Sequence, residues 1–269
     1  MRAVQSSRFL LGPVLAATVL ASVSLAGCAT VPPASDAAAL ADFRETNDPM
    51  EPTNRVFYEI NDGIDTVVMR PLAQGYRAVV PPPVRTGVHN LLTNMGTPVV
   101  FFNDVLQDKP KRAGDSFMRF LINTTLGVGG IFDAATDLGY PHHDTGFGTT
   151  LALWGANEGP FLFLPVLGPS NPRDLAGFGA DIALDPWTWV GSGLGKRIFD
   201  WSRYGLGAID QRERVLDALD DVKKSALDPY ATFRSLYRQR RNAEIDAARA
   251  DHRGTVQGAP AAPATPGVR

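Results

Sequence analysis

The chain has 269 residues, a formal net charge of −2 and a sequence pI near 6.1. This near-neutral balance leaves no basic footprint, which argues against nucleic acid as a partner. The 26 glycines and 21 prolines predict frequent interruptions of secondary structure, while a hydrophobic content of 44% is ordinary for a folded domain.

The N-terminus has the pattern of a secretory signal. Two arginines accompany an apolar run over residues 9–25, and small residues then lead directly to Cys28. A signal that ends at a cysteine has the form of a bacterial lipobox. We interpret residues 1–27 as a lipoprotein signal peptide and Cys28 as the lipidation site, carrying a diacylglycerol and an N-acyl chain such as palmitate. The alternatives are an ordinary signal peptide and an uncleaved anchor helix.

Cys28 is the single cysteine of the chain. The mature chain, 242 residues after removal of 27, can therefore form no internal disulfide although an exported protein meets an oxidising compartment. Acylation removes a reactive thiol, and more than one acyl chain gives stable anchoring. Among bacterial lipoproteins an Asp after the cysteine indicates retention at the inner membrane, so Ala29 favours transport to the outer membrane.

Composition divides the mature chain into three parts. Residues 28–41 are rich in Pro and Ala and are predicted to be a lipidated tether. Residues 251–269 have few apolar anchors and are predicted to be a disordered Pro/Ala-rich tail. The folded helical domain is expected between them, over residues 42–250.

Helical periodicity is the main pattern of that domain. Apolar residues recur at three- and four-residue spacing, and no strand alternation is convincing. The runs lie at residues 56–68, 84–95, 113–124, 209–222 and after Asp228-Pro229. We expect Asp48, or else Thr53, to cap the first helix, Pro71 to end it, and Asp228 to cap the last. The sequence predicts a mainly α fold.

The middle of the chain is unusually apolar. Over residues 145–172, Glu158 is the single charged residue. Such a stretch would suggest a transmembrane helix, but its glycines and prolines forbid one long helix. Two interpretations stay open: a buried core segment, or a broken re-entrant segment that faces lipid or lines a cavity. A short hairpin is compatible with both.

Aromatic residues in and after this stretch are candidates for the membrane interface, where amphipathic rings are favoured. Trp187 and Trp189 stand close together in a weakly charged patch, although paired tryptophans are as common in a core. The candidates are Trp154, Phe161, Phe163, Trp187 and Trp189.

No motif supports catalysis or a cofactor. Residues 168–172 lack the last glycine of a nucleophile elbow, and residues 191–197 are too short for a phosphate loop. The glycines of residues 127–130 follow a predicted helix rather than a strand, which fails the dinucleotide-binding context. His142-His143-Asp144 has no metal-ligand spacing and is expected in a solvated turn. We predict no enzyme activity, no metal and no cofactor beyond the acyl chains.

Many short motifs, in order, carry a resemblance to a known family. They are residues 47–55 (NDPMEPTNR), Phe57, Arg70-Pro71, residues 81–85, Asn90, residues 103–107 (NDVLQ), residues 117–125 (FMRFLINTT), Gly127, Gly129-Gly130, Asp133, residues 147–151 (FGTTL), Gly159-Pro160, Leu164-Pro165, Gly168, Arg173-Asp174, residues 228–230 (DPY) and Gln239-Arg240. From residue 47 to about 245 the chain resembles the MlaA family, also called VacJ, of outer-membrane phospholipid-transport lipoproteins.

This resemblance implies a ring-like helical bundle that lies in one leaflet of the outer membrane and holds a central amphipathic channel. The protein would face the periplasm from the inner leaflet and remove phospholipids from the outer leaflet, which maintains lipid asymmetry. Its partners would be a trimeric porin and a soluble periplasmic lipid carrier of the MlaC type. The alternative is a structural or adaptor lipoprotein that binds a porin and moves no lipid.

The channel-lining residues are a hypothesis from the helical pattern. The first amphipathic helix carries a polar stripe opposite its apolar face, and a glycine-rich turn follows a later helix. The candidate residues are Glu59, Asn61, Asp62, Asp65, Gly127, Gly129 and Gly130.

We expect cysteines introduced singly at positions 61, 62 and 65 to react with aqueous thiol reagents, because a lipid passage needs a hydrated polar wall. Labelling is compared with that of a cysteine at a core position. Resistance as complete as in the core would rule out the polar stripe as a passage wall.

Overall fold

The computed structural model describes residues 31–252, and helices dominate this range. The helices are α1 (Ala37–Thr46), α2 (Glu51–Ile64), a π-helical turn (Asp65–Met69), α3 (Arg70–Val79), α4 (Pro82–Leu106), α5 (Pro110–Thr125), α6 (Ala134–Asp137), α7 (Phe147–Leu153), α8 (Pro172–Leu184), α9 (Pro186–Trp189), α10 (Gly193–Arg214), α11 (Leu216–Ser225) and α12 (Pro229–His252). Strands β1 (Leu162–Leu164) and β2 (Gly168–Ser170) form an antiparallel hairpin. The predicted mainly α fold with broken apolar segments is confirmed.

Some predictions lie outside the described residues: the signal peptide, Cys28 and the tail beyond residue 252. Near the start of the described range, helix α1 covers part of the predicted tether and crosses its boundary at residue 41. The Asp36 side chain caps this helix by accepting a hydrogen bond from the Ala39 N–H. None of the described helices is both long and apolar enough to cross a bilayer.

The chain divides into two compact units, each built from separate segments. Unit 1 contains the described residues up to 85, residues 158–175 and residues 199–237. Unit 2 contains residues 86–157, residues 176–198 and the described residues from 238 onward.

In unit 1, α2, the π-helical turn and α3 form one uninterrupted helical run. The backbone at both ends of the turn is right-handed helical, and the Arg70 N–H donates to the Asp65 carbonyl, five residues back. The prediction that Pro71 ends this helix is therefore wrong. A proline removes one N–H and its ring crowds the carbonyl four residues earlier, and the wider π turn directly before Pro71 relieves that conflict.

Asn54 joins α2 to the hairpin. Its side chain is buried, and its Nδ2 donates to the Phe161 carbonyl at 3.1 Å and to Asp48 Oδ1 at 2.7 Å. Its Oδ1 accepts from the Phe163 N–H at 2.9 Å. The carboxamide thus supplies β1 with the donor and acceptor that a neighbouring strand would supply.

Asn61, seven residues later on the same helical face, repeats the contact. Its Nδ2 donates to the Leu164 carbonyl at 2.7 Å, and its Oδ1 accepts from the Val166 N–H at 2.6 Å. The two asparagines hold β1 and the hairpin turn against α2. The apolar middle segment was expected to be either a buried core segment or a broken re-entrant segment. Its strand β1 is a core element of unit 1, so the first interpretation holds for β1.

An aromatic cluster fills the space beside the hairpin. Phe161, Phe163 and Tyr230 are buried, and Tyr58 packs edge-on against Phe163 and Tyr230 at ring-centroid distances of 5.6 and 5.9 Å. Such edge-to-face contacts stabilise a core beyond the area that they bury.

Asp48 lies within this core instead of capping a helix. It accepts hydrogen bonds from Asn54, from the Tyr230 hydroxyl and from Arg234. Helix α2 begins at Glu51 without a side-chain cap, so both capping predictions for this helix are wrong. The prediction for Asp228 is confirmed, since its Oδ1 accepts from the Ala231 N–H at 3.1 Å.

In unit 2, a glycine-rich turn follows α5 and packs against α4. A Cβ on Gly127 would lie 2.2 Å from the Phe132 carbonyl oxygen, and one on Gly130 would lie 2.5 Å from the Asn94 side chain. Gly130 also has a φ of +101°, which favours glycine. Position 130 requires a glycine because any side chain there would clash with Asn94.

We expect Asn54→Leu to destabilise unit 1 by about 2–4 kcal/mol, because it leaves two hairpin backbone groups and Asp48 without a partner. Thermal unfolding of the full chain in detergent measures this. Asn242→Leu makes the same chemical change at an exposed position of α12. Equal unfolding temperatures for the two variants would contradict the role assigned to Asn54.

Candidate functional site: an apolar exterior over a polar interior

The exterior of each unit is rich in exposed apolar side chains. In unit 1 these are Val56, Ile60, Ile64, Val67, Val68, Leu72, Val79, Val84, Val166, Leu167, Trp201, Tyr204 and Leu227, among others. In unit 2 they include Phe102, Val105, Phe117, Leu121, Leu126, Val128, Phe132, Trp154, Phe178, Trp189, Val190 and Leu194. Val67 is 74% exposed and Trp189 73%. An apolar surface of this extent indicates contact with a partner or a membrane.

The interior is rich in polar and charged side chains. The buried ones in unit 1 are Asp48, Thr53, Asn54, Asn171, Arg173, Asp210, Arg212 and Glu213. Those in unit 2 are Asn94, Thr97, Asn103, Asp104, Gln107, Lys109, Ser116, Arg119, Asn123, Thr149, Thr150 and Asp185. Charged residues are almost never buried in soluble proteins unless they are paired. Polar groups inside with apolar groups outside is the arrangement that a hydrocarbon surrounding favours.

The run from α2 through α3 shows this inversion within one helix. Its apolar stripe, identified from the sequence, includes Val56, Ile60 and Val67, and all three side chains are exposed. The opposite stripe contains Asn54 and Asn61, which hold the hairpin. The polar face is therefore the packing face of this helix.

The predicted channel-lining residues on this helix lie at the packing face, with one exception. Glu59 is exposed, whereas Asn61 has both ends of its amide bonded to the hairpin. Asp62 and Asp65 are half-buried and share Lys223, whose Nζ lies 2.6 Å from Asp62 Oδ1 and 2.8 Å from Asp65 Oδ2. Their role in a channel stays a prediction.

Asp65 is the centre of an ion network in unit 1. Arg212 donates to both of its oxygens at 2.6 and 3.0 Å, and Lys223 donates as well. Burial alone would raise the pKa of Asp65, but the hydrogen bonds from Arg212 and Lys223 outweigh it and lower the pKa below its usual value. The carboxylate stays ionised and ties the π-helical turn to α10 and α11.

A comparable network in unit 2 is centred on Asp133, directly after the glycine turn. Arg119 Nη2 donates to its two oxygens at 3.0 and 3.1 Å, and Asn123 and Thr136 donate too. Burial would raise the pKa of Asp133, but these hydrogen bonds prevail and lower it to about 2. Sequence periodicity did not identify Arg119 or Asn123 as buried, although both lie in a motif that carries the family resemblance.

The predicted channel-lining glycines lie in this same region. Gly127 and Gly130 are buried, and Gly129 is exposed with a φ of +74°. The Gly129 carbonyl accepts from Asn94 Nδ2 at 3.3 Å. Their contribution to a channel stays a prediction.

The interface prediction is wrong for Phe161 and Phe163. They are 2% and 5% exposed because β1 faces the aromatic core. Trp154 and Trp189 are exposed, so their interface role stays a prediction.

Trp187 is half-buried, and its indole N–H donates to the Met95 carbonyl at 3.0 Å. Its ring therefore helps to fix α9 to α4 within unit 2. An interface role for Trp187 also stays a prediction.

The histidine pair does not form a simple solvated turn. His143 Nε2 lies 2.9 Å from Asp104 Oδ2, and Asp104 is fully buried and also accepts from Ser116. Within residues 31–252, no group of three or more His, Cys, Asp or Glu residues is arranged to hold a metal.

Comparison with known proteins gives the family. The family model described as "MlaA lipoprotein" matches residues 46–244, most of the chain. The chain belongs to the MlaA lipoprotein family. This confirms the resemblance stated from the sequence and places the chain in a family associated with the bacterial outer membrane.

Relatives extend over most of the chain. A protein of Haemophilus influenzae named "Intermembrane phospholipid transport system lipoprotein MlaA" is 34% identical over 228 residues, 82% of this chain and 86% of its own. The protein of that name from Escherichia coli K12 is 34% identical over 236 residues, 84% of this chain and 86% of its own. A Rickettsia bellii protein is 36% identical over 203 residues, 75% of this chain and 78% of its own.

A solved structure is also similar to this MlaA-family chain. It comes from work on the "Structural basis for maintenance of bacterial outer membrane lipid asymmetry". The TM-score is 0.65 at 30% sequence identity, over 74% of this chain and 98% of the other.

We expect Asp133 to contribute stability that is present above the ordinary carboxyl pKa of 3.8 and is lost as the pH falls towards about 2, because its pKa is lowered in the folded state. Asp133→Asn should lower the free energy of unfolding by about 1–3 kcal/mol at neutral pH and weaken the dependence of this free energy on pH in acid. Unfolding of the full chain in detergent is measured over that pH range. Asp137→Asn, at an exposed neighbouring position, is the control. An unchanged acid dependence in Asp133→Asn would contradict the assignment.

Proposed function

We propose that this chain is an outer-membrane lipoprotein of intermembrane phospholipid transport. It is anchored through acyl chains on Cys28 in the inner leaflet and faces the periplasm. It removes phospholipids from the outer leaflet and passes them to a soluble periplasmic carrier of the MlaC type, with a trimeric porin as its neighbour. The family and the names of its relatives support the transport role.

The observation that carries this proposal is the apolar exterior over a polar interior in both units. A phospholipid that changes leaflets must carry a charged or zwitterionic headgroup past hydrocarbon, where one charged group costs about 3 kcal/mol on insertion scales. A protein with polar groups inside and apolar groups outside offers the headgroup a polar path and the acyl tails an apolar one.

Placement within one leaflet is supported by the long helical run of unit 1. Its segments of 14, 5 and 10 residues extend about 43 Å at 1.5 Å per residue. Its apolar stripe is exposed while its polar stripe carries Asn61 and Asp65. The exposed apolar face of this run can contact lipid along its length, while its polar face packs inside unit 1.

This transfer needs no covalent step, and we infer that the chain is not an enzyme. Interior acids already have structural partners: buried Asp48 accepts from Tyr230, buried Asp104 from Ser116 and half-buried Asp133 from Arg119.

We expect outer-leaflet phospholipid to rise in a strain that lacks the gene and to return to the parental level with the wild-type chain but not with Cys28→Ser, because the unanchored chain does not reach the leaflet. Surface phospholipid is measured on intact cells, and membrane fractionation follows the location of each variant.

The control is Ser35→Ala, an exposed change in the described part of the predicted tether, which should restore the parental level. Unchanged surface phospholipid in the deletion strain would reject transport and favour the adaptor, whose porin cross-links would remain. Full restoration by Cys28→Ser would reject the lipid anchor alone.

A further inference from the structure

Unit 2 contains an open cleft of about 480 Å³. Its lining comes from α12, from the first turn of α5 and from residues 144–149, all of them within this unit. By the same measure, about 10–15 Å³ is enough for one water molecule. The cleft therefore has room for a ligand of headgroup size.

Three arginines line this cleft: Arg112 of α5, and Arg240 and Arg241 of α12. The Arg240 side chain is 81% exposed, and its Nε donates to Glu244 Oε1 at 2.8 Å, one turn along the helix. Arg112 is half-buried, and its Nε lies 2.5 Å from Asp251 Oδ2. Both side chains are held through Nε, and their Nη groups are accessible and have no partner among the described residues.

The third arginine fixes the frame of the cleft. Arg241 Nη1 donates to Thr149 Oγ1 and to Glu244 Oε2, each at 3.0 Å, which ties α12 to α7. Thr145 also lines the cleft, and its Oγ1 accepts from Gln107 Nε2 at 2.8 Å. The Thr145 O–H is then left to donate. The cleft thus offers guanidinium and hydroxyl donors.

The balance of charge indicates the class of ligand. Two carboxylates, Asp144 and Glu244, line the cleft with the three arginines, which leaves an excess of one positive charge. Asp251 lies outside the lining and is offset by Lys109, whose Nζ lies 3.8 Å from Asp251 Oδ2. A phosphate monoester carries about 1.5 to 2 negative charges at pH 7, whereas a phosphodiester carries one. The excess charge of the cleft matches a phosphodiester.

We propose that this cleft binds the phosphodiester of a phospholipid headgroup through the Nη groups of Arg112 and Arg240. A guanidinium presents its N–H groups as a fixed fork that matches two oxygens of one phosphate. This inference rests on the proposed function, because the transported phospholipid is the source of the phosphodiester, and it assigns a binding site to that lipid.

The test measures binding of glycerophosphoglycerol, a soluble phosphodiester, to the purified full chain in dodecyl maltoside micelles by isothermal titration calorimetry. We expect Arg240→Gln to weaken this binding about tenfold, the factor that one hydrogen bond to a charged group implies. Arg240→Lys keeps the charge but loses the fork, so its affinity should lie between those of Arg240→Gln and the wild type.

Arg249→Gln is the matched control. Arg249 is an exposed arginine of the same helix, it pairs with Asp246 at 3.3 Å, and it lies outside the cleft lining. This variant makes the same change in net charge and should keep the wild-type affinity. Circular dichroism and unfolding in the same micelles confirm that each variant is folded.

Glu244→Gln separates a ligand site from a structural ion pair. Removal of this carboxylate takes away an opposing charge and releases Arg240, so the phosphodiester should bind about threefold more tightly. If the pair of Arg240 and Glu244 only held the cleft in shape, this variant would bind more weakly, and that result would overturn the inference.

The inference would also be overturned by a wild-type chain that does not bind glycerophosphoglycerol, or by equal affinities of the wild type and folded Arg240→Gln. An equal loss in Arg249→Gln would show a general effect of charge and would overturn it as well.

A competition arm identifies the source of the phosphodiester. Dioleoyl phosphatidylglycerol added to the micelles should displace the soluble headgroup, and dioleoylglycerol, with the same tails and no phosphate, should not. Displacement by both would overturn the phosphate assignment, and displacement by neither would assign the cleft to a soluble phosphate ester and overturn the lipid source. A wild-type chain that restores surface phospholipid in cells but binds no phosphodiester refutes the cleft alone, whereas binding without restoration refutes transport.

Discussion

The rest of this structure depends on partly buried ion pairs within each unit. Asp65 with Arg212 and Lys223 in unit 1 joins segments about 150 residues apart in the chain, and Asp133 with Arg119 in unit 2 ties the segment after the glycine turn back to α5. In a protein surrounded by water, buried apolar side chains would hold such segments together. Where the surroundings are as apolar as a leucine side chain, burial of apolar surface gains little, and hydrogen bonds and packing must hold the helices together.

The same constraint explains the irregular backbone. A backbone group that faces hydrocarbon cannot bond water, so each break in a helix needs an internal partner. At the break before Pro71, the wider π turn keeps the Arg70 N–H bonded to the Asp65 carbonyl. At the hairpin, Asn54 accepts from the Phe163 N–H of β1, and Asn61 accepts from the Val166 N–H of the hairpin turn. Glycine and proline are frequent in this chain, yet at these breaks the backbone groups are paired.

One turn of unit 2 combines an apolar and a polar side. The segment after α5 exposes Val128 and Phe132, while its Gly129 and Ile131 carbonyls accept from Asn94 and Asn90 of α4. Relatives in this family are named for phospholipid transport, and a phospholipid likewise has one polar and one apolar end.

The sequence determined the helical character of the chain, the Asp228 cap, the lipobox prediction at Cys28 and the family, because periodicity, capping and ordered motifs are local signals. Only the tertiary structure decided which face of each helix is outside. The spacing of Val56, Ile60 and Val67 is the same whether the stripe meets a core or lipid, and here it is exposed. Likewise Phe161 is buried and Trp189 exposed, although both are aromatic residues in weakly charged segments. Local sequence cannot separate them, because the partners that bury or expose a side chain lie in distant segments of the chain.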